Sequence, residues 1–385
     1  MYNDLSRDAD IACGRGSEWA FGLIDLLNEG ERSNMKLIHA VTMRNFRCFE
    51  NDSFDLAAPT VLILGENGSG KTSLLEALFY ATTLRSFKTR YPRDCIRFNS
   101  DGYLITVAGE AEAEWELRAA VDTHGNRLVK LNGSPVASWH ELTAQCRAVT
   151  ISEEDLLLVS GPPEERRRFL DHAISLENGS YMKQLVLLRR VVRQKNALLT
   201  SNRCNQEAYV SWTEKLEELS ETIRAVRQEY IEKLHDTISR LSAEHLAARA
   251  SVGMRYKMAK NGMELFARET AMRRTLAGAH LDDVEITLAD RSVRQFASRG
   301  QQKVVAFLLK AGAIALLSRP ALILVDDFMT DFDEKNAEAL IFLAKRLGGQ
   351  LILTAPQPGC LPNALSDQIE LQIKLAQRNM SACKK

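Results

Sequence analysis

The chain has 385 residues, 45% hydrophobic and 26% charged. That is a globular composition with room for two or three folded units, and it argues against disordered and fibrous classes. Lysine plus arginine balance aspartate plus glutamate at 50 each, so any binding to nucleic acid or membrane must come from local patches rather than bulk charge. Seven scattered cysteines with no C-x-x-C pair argue against a disulfide framework or a zinc site and predict a reducing, cytoplasmic setting.

Residues 1–34 hold seven acidic and three basic side chains and no strand pattern. They read as an N-terminal extension that is dispensable and not native to the folded protein. The texture changes at Met35, where residues 35–46 alternate as a strand and residues 52–56 read as its hairpin partner. Residues 60–64 form a continuous apolar run, expected of a strand buried on both faces. A glycine-rich turn and a helical stretch over 72–84 follow, then several short strands over 103–150.

From about residue 163 the period becomes helical. Leu185, Leu188, Val192 and Leu199 share one face, and Trp212, Leu216, Leu219, Ile223, Val226, Tyr230 and Leu234 step by four and three. The stripe predicts a helical hairpin whose apolar side is core; at roughly 40 Å it is too short for a long coiled coil. Strand-and-helix texture returns at 284–288, a helix over 300–317 and a strand over 321–325. The apolar run 304–317 is broken by Lys310 and is too short to span a bilayer. The predicted organisation is α/β: a head in two halves, 35–160 and 268–378, interrupted by a helical arm over 161–267 and followed by a tail over 379–385.

Gly65, Glu66, Asn67, Gly68, Ser69, Gly70, Lys71 and Thr72 fit G-x-x-x-x-G-K-[ST] without a gap. Glycines let successive N–H groups curl toward phosphate oxygens at the positive end of the following helix. In such a loop Lys71 reaches the β and γ phosphates and Thr72 ligates Mg²⁺. Asp326 and Asp327 end the apolar strand 321–325, the place where ligands sit in open α/β sheets. Asp326 suits Mg²⁺ and Asp327 the attacking water. Ser298, Gly300 and Gln301 open a helix about 25 residues upstream, offering a hydroxyl and free N–H donors to an anion.

The order of phosphate loop, helical insertion, Ser-x-Gly-Gln helix and acid-ending strand resembles the ABC-type ATPases of the SMC class, and within them the RecF family. The resemblance is carried by residues 37–49, 84–90, 153–171, 278–283 and 298–303, and it spans residue 35 to about 375. Residues 329–333 are similar to the D-loop. The chain departs from the family at Ala279 and Leu281, where proline and a basic residue are usual. It has no switch histidine at 353–358 and no glutamine of the Q-loop type after residue 151.

The resemblance implies an ABC-type P-loop ATPase head with ATP and Mg²⁺ as cofactors, Lys71, Asp326 and Asp327 as catalytic residues, and weak, DNA-stimulated hydrolysis. It implies an ATP-dependent homodimer in which Ser298 meets the γ-phosphate of the partner subunit. It also implies DNA as a partner (single-stranded, double-stranded or a gap junction), RecR and RecO as protein partners, and roles in recombinase loading and SOS induction. Anti-phage and transport ATPases are the alternatives. The former would carry a nuclease domain after the head, and the latter would lack the motif at 166–171.

Two stretches are locally basic: residues 161–200 hold eight basic and four acidic side chains, and 85–97 hold five and one. Arg85, Lys88, Arg90, Arg166, Arg167, Arg168, Arg189, Arg190 and Arg193 are the candidate DNA-phosphate contacts, of a kind that positions DNA without reading sequence. His280, Asp282 and Asp283 are conceivable metal ligands, but three ligands in four residues rarely close one site; a structural role is the expectation.

Overall fold

The computed structural model describes residues 37–110, 113–201, 205–245, 251–259, 265–319, 321–327, 349–357, 359 and 369–377. The extension over 1–34, the D-loop-like segment 329–333 and the tail 379–385 lie outside the described residues. The described residues, all of which follow residue 36, form one compact unit.

In chain order, β1 (Leu37–Phe46) and β2 (Phe49–Asp55) make a hairpin, and β3 (Thr60–Leu64) runs into α1 (Lys71–Thr83). There follow β4 (Gly102–Glu110), β5 (Glu114–Asp122), β6 (Arg127–Leu131), β7 (Ser134–Pro135) and β8 (Ala148–Ser152). The helical insertion is α2 (Pro163–Glu177), α3 (Gly179–Thr200) and α4 (Gln206–His245). Then come β9 (Val252–Lys257), α5 (Phe266–Met272), β10 (Asp283–Leu288), β11 (Arg291–Ser292) and α6 (Arg299–Ala315), and finally β12 (Leu322–Asp326), β13 (Gln350–Ala355) and β14 (Leu371–Lys374).

The central sheet is parallel, in the order β14-β3-β13-β12-β8. Its strands β3, β8, β12 and β13 are buried on both faces, and successive side chains point to opposite sides. Val61, Ile63, Leu322, Leu324 and Ile352 join one core, with α1 and the antiparallel sheet β2-β1-β4-β5-β6-β7. Leu62, Leu64, Ile323, Val325, Leu351 and Leu353 join the other, with the inserted helices. Gln350 stitches the two sheets together: its buried side chain accepts from Ile38 N–H and donates to the carbonyls of Ile38, Leu56 and Ala58.

The predicted stripe of α4 is core. Leu216, Leu219, Ile223 and Leu234 are buried, with Trp212, Val226 and Tyr230 packed against them. Because α4 shares that core with α6, the inserted helices are a layer of the head rather than a detached arm. Gly312 permits the close approach, since a Cβ there would meet the Leu234 and Ile238 side chains at 2.9 Å. β9, inside the 161–267 segment, pairs along its length with β10 of the second half.

Candidate active site

The parallel sheet order brings the site together. β3 and β12 are not neighbours; β13 lies between them. The C-terminal ends of these three strands therefore deliver Gly65, Thr354 and Asp326 side by side, although Thr72 and Asp326 are 254 residues apart.

Two glycines shape the loop. Gly70 takes φ 103°, a left-handed conformation that L side chains rarely adopt. At Gly65 a Cβ would lie 2.4 Å from Ser69 Oγ. α1 then begins with no side-chain cap and no acidic residue in its first turn, leaving its N-terminal dipole for an external anion. Lys71 is buried, and its ammonium donates to the carbonyls of Gly65 at 2.7 Å and Glu66 at 3.4 Å and sits 3.6 Å from Asp327 Oδ2. Ser69 Oγ is buried with no hydrogen-bond partner among the described residues.

Asp326 is buried, and its Oδ1 accepts from Thr72 Oγ1 at 3.0 Å and Thr354 Oγ1 at 3.0 Å. Burial first, and the neighbouring Asp327 charge, push its carboxyl above the usual range against the two hydroxyls; a cation at this point would relieve that cost. Asp327 follows with φ 42°, a left-handed turn that aspartate tolerates better than most residues. Its N–H donates to Thr354 Oγ1 at 2.9 Å, and its Oδ1 lies 3.3 Å from the same hydroxyl. The cradle, the unpartnered Ser69 hydroxyl and the paired oxygens of Thr72 and Asp326 fit a nucleoside triphosphate with Mg²⁺.

Ser298 caps α6 in a reciprocal box with Gln301: Gln301 N–H donates to Ser298 Oγ at 3.3 Å, and Ser298 N–H to Gln301 Oε1 at 2.9 Å. Ser298, Gly300 and Gln301 are exposed, and a Cβ on Gly300 would meet open space. The fold brings Lys71, Thr72, Asp326 and Asp327 together and leaves Ser298 on an outward face.

Thr354 was not singled out from the sequence. Only the strand order reveals that residue 354 must stand between the two halves, where the sequence shows a missing histidine. The turn after β8 was likewise unplaced. Register sets Ser152 beside Asp326, so Glu153 and Glu154 follow the strand next to the site, and Gln145 ends a helix before it.

The basic candidates divide. Arg166, expected as a DNA contact, is instead buried: it pairs with Asp283 at 2.8 and 3.1 Å and donates to the carbonyls of Leu158 and Gly161. Arg167 is half-buried and donates to Asp282 O. Asp282 itself is taken by Arg224, Tyr256 and the Ala259 N–H, so the 280–283 cluster is structural. Lys88 pairs with Glu154, Arg90 with Glu164, and Arg168 with Glu164 and Glu165. Arg189, Arg190 and Arg193 are exposed along α3. Arg85 is half-buried; burial first, then Arg189 and Arg168 against the opposing Asp171 carboxylate, depresses its guanidinium.

A family profile described as "AAA domain" matches residues 40–264. The DNA replication and repair protein RecF of Chlorobium phaeobacteroides (strain BS1) is 30% identical over 346 residues, covering 83% of this chain and 94% of that protein. RecF of Geotalea daltonii is 27% identical over 361 residues, covering 87% and 96%. Among solved structures, the recombination mediator protein RecF with ATP superposes with a TM-score of 0.78 at 22% identity, over 85% of this chain and 94% of that one. A Pyrococcus furiosus Smc head domain gives 0.53 at 16% identity, over 90% and 94%. No helix among the described residues is long and apolar enough to cross a membrane. By sequence and fold together, the chain belongs to the RecF family of DNA replication and repair proteins, built on an SMC-like ABC-type head.

Proposed function

We propose that the protein is an ATP-dependent DNA-binding factor of recombinational repair and replication restart, with a weak, DNA-stimulated ATPase. The observation that carries the reading is the Thr72–Asp326 contact beside the buried Lys71, at the mouth of an uncapped helix. Lys71 neutralises phosphate charge, and Thr72 and Asp326 hold Mg²⁺. The metal, when bound, draws off negative charge from the phosphate oxygens. Asp327, fixed by Thr354, orients water. Its side chain is one methylene shorter than the glutamate the resemblance leads one to expect, and a small misplacement costs on the order of a hundredfold in rate.

The exposed Ser298 supports a shared site, in which a second copy brings its α6 against the γ-phosphate. ATP then holds two heads together and hydrolysis releases them. Arg85, Arg168, Arg189, Arg190 and Arg193, with Lys88 and Arg90 beside them, form the DNA-facing group, on gapped, single-stranded or junction DNA. The family relationship supports RecR and RecO as partners in recombinase loading and SOS induction, in the cytoplasm.

Light scattering with ATP and Mg²⁺ tests the shared site. The wild type dimerises, Ser298→Arg stays monomeric with nucleotide affinity intact, and Asp327→Asn prolongs the dimer. A wild-type protein that remains monomeric at micromolar concentration with ATP, Mg²⁺ and DNA overturns it.

A further inference from the structure

The segment 84–98, which follows α1, is fastened to the fold at many points. The buried Glu76 of α1 accepts from Arg47 Nε and Nη2, each at 2.7 Å, and from the Ser86 hydroxyl. Ser86 Oγ accepts the N–H groups of Lys88 at 2.9 Å and Thr89 at 3.0 Å. Thr89 Oγ1 donates to Asp94 Oδ2 at 2.6 Å and accepts the Tyr91 N–H at 3.1 Å. Arg47 also reaches Asp94 O at 2.9 Å, and Arg97 donates from its backbone to Asn45 O and from its side chain to Cys48 O. Phe87 packs edge-on against Phe79 of α1.

The other two rings of this rigid segment point outward. Tyr91 is 61% exposed and Phe98 50%, one on either side of a single 3₁₀ turn, Pro92–Cys95. Among the described residues only one further tyrosine, phenylalanine or tryptophan, Phe296, is at least half exposed. An aromatic ring left in water forgoes its burial free energy, so packing does not account for either ring. The charge around them is positive. Residues 85–97 hold five basic side chains and one acid, and the acid, Asp94, is engaged by Thr89. Arg93 is exposed, with its guanidinium 5.7 Å from the Tyr91 ring centroid and no carboxylate partner among the described residues. Lys88 and Arg90, also exposed, meet Glu154 and Glu164 in pairs open to solvent, which are weak.

Rings and cations interleaved on one segment fit a single-stranded polynucleotide. An unpaired base stacks on an aromatic face whatever its identity, and the phosphates beside it meet the cations. A duplex keeps its bases stacked on one another and offers the segment only phosphates. A backbone already held in place also lowers the ordering cost of binding. We propose that Tyr91 and Phe98 form a stacking platform for unpaired bases, with Lys88, Arg90 and Arg93 on the phosphates of the same strand. This rests on the DNA-binding reading above and names the part of a gapped substrate that the segment takes.

The test is fluorescence anisotropy on the full chain with ATP and Mg²⁺, using three probes of equal length: oligothymidine, an abasic single strand and a duplex. The wild type binds oligothymidine more tightly than the abasic strand, which carries the same charge. Tyr91→Ala and Phe98→Ala each weaken oligothymidine binding at least about fivefold. They leave ATP affinity, the other two probes and the salt slope unchanged, since no phosphate contact is lost. Tyr91→Phe, which keeps the ring, keeps the preference. Equal affinity of the wild type for oligothymidine and the abasic strand, or a full preference in both alanine variants, overturns the platform while leaving DNA binding standing. Alanine variants that lose ATP-dependent dimerisation and weaken on all three probes alike place the rings at a contact between two copies, and overturn it as well. A wild type that binds none of the probes overturns the DNA-binding reading and the platform with it.

Discussion

Two regions of this molecule are dense in charge, and they use it in opposite ways. Where α2, α4 and the start of β10 meet, each guanidinium has its own carboxylate: Arg166 with Asp283, Arg224 with Asp282, and Arg227 with Asp171, all at 2.8 Å. Arg227 also donates to the Tyr181 and Tyr256 hydroxyls and to Ala279 O. In the cradle, Lys71 finds carbonyls at hydrogen-bond distance and a carboxylate only at 3.6 Å, and Asp326 accepts from hydroxyls alone. One set of charges is closed within the fold; the other, among the described residues, is left open to the external partner proposed above. A charged motif is scaffold in the first case and site in the second.

The sharpest way to break this comparison is to remove one charge from each. Arg227→Met leaves Asp171 with the Tyr181 hydroxyl and no counter-charge and should cost about 3–5 kcal/mol of stability, read from the urea midpoint, while the folded variant keeps its ATP affinity. Lys71→Met should do the reverse, abolishing ATP binding with the midpoint nearly unchanged. Equal loss of stability in both would mean that the cradle is scaffold too.

The parts legible in the sequence are those set by local rules. The 65–72 loop, the apolar strands on either side of the inserted helices and the helix start at Ser298 each depend on residues a few positions apart. What was hidden depends on distant partners. Arg166 looks like a DNA contact until Asp283, 117 residues away, takes its guanidinium. Thr354 looks like an absent histidine until β13 falls between β3 and β12. The short strand β9 reads as part of the helical segment until β10 pairs with it. Residues 153–171 and 278–283, which carry the family resemblance, are joined by the Arg166–Asp283 pair, which holds the inserted helices on the head.

Acid should separate the two regions more finely. Burial is the first cause that pushes the His172 and His280 imidazoles down, to about 3 and about 4. Between pH 6.5 and those values the unfolded chain binds protons that the native state refuses. Stability must fall as pH falls, by about 1.4 kcal/mol per pH unit for each histidine. Asp282 adds to the loss only at lower pH: burial would raise its carboxyl, but Arg224, the Ala259 N–H and Tyr256 outweigh it and hold it low. Asp326, raised by burial, has the opposite sign, since its native state gains relative stability as it protonates. Urea midpoints at pH 7 and pH 5 check this, and His280→Gln with His172→Gln should flatten the difference. A midpoint independent of pH down to 5 in the wild type would contradict the buried, neutral state of both rings.

The finest comparison lies inside three adjacent arginines. Arg166 is closed on Asp283, Arg167 is half-closed on Asp282 O, and Arg168 is exposed, held only by Glu164 and Glu165 on its own helix. Exposed pairs of this kind contribute roughly 0.2–1 kcal/mol, so Arg168→Gln should barely move the urea midpoint. If Arg168 meets a DNA phosphate beside Arg85 and Arg189, the same substitution lowers the slope of log affinity against log salt by about 0.9 and leaves ATP affinity alone. Arg90, within 3.5 Å of Glu164, competes for the freed carboxylate, which keeps the stability change small without replacing the lost phosphate contact. An unchanged slope would place residue 168 with its two neighbours as scaffold and move the DNA surface outward along α3, to Arg190 and Arg193.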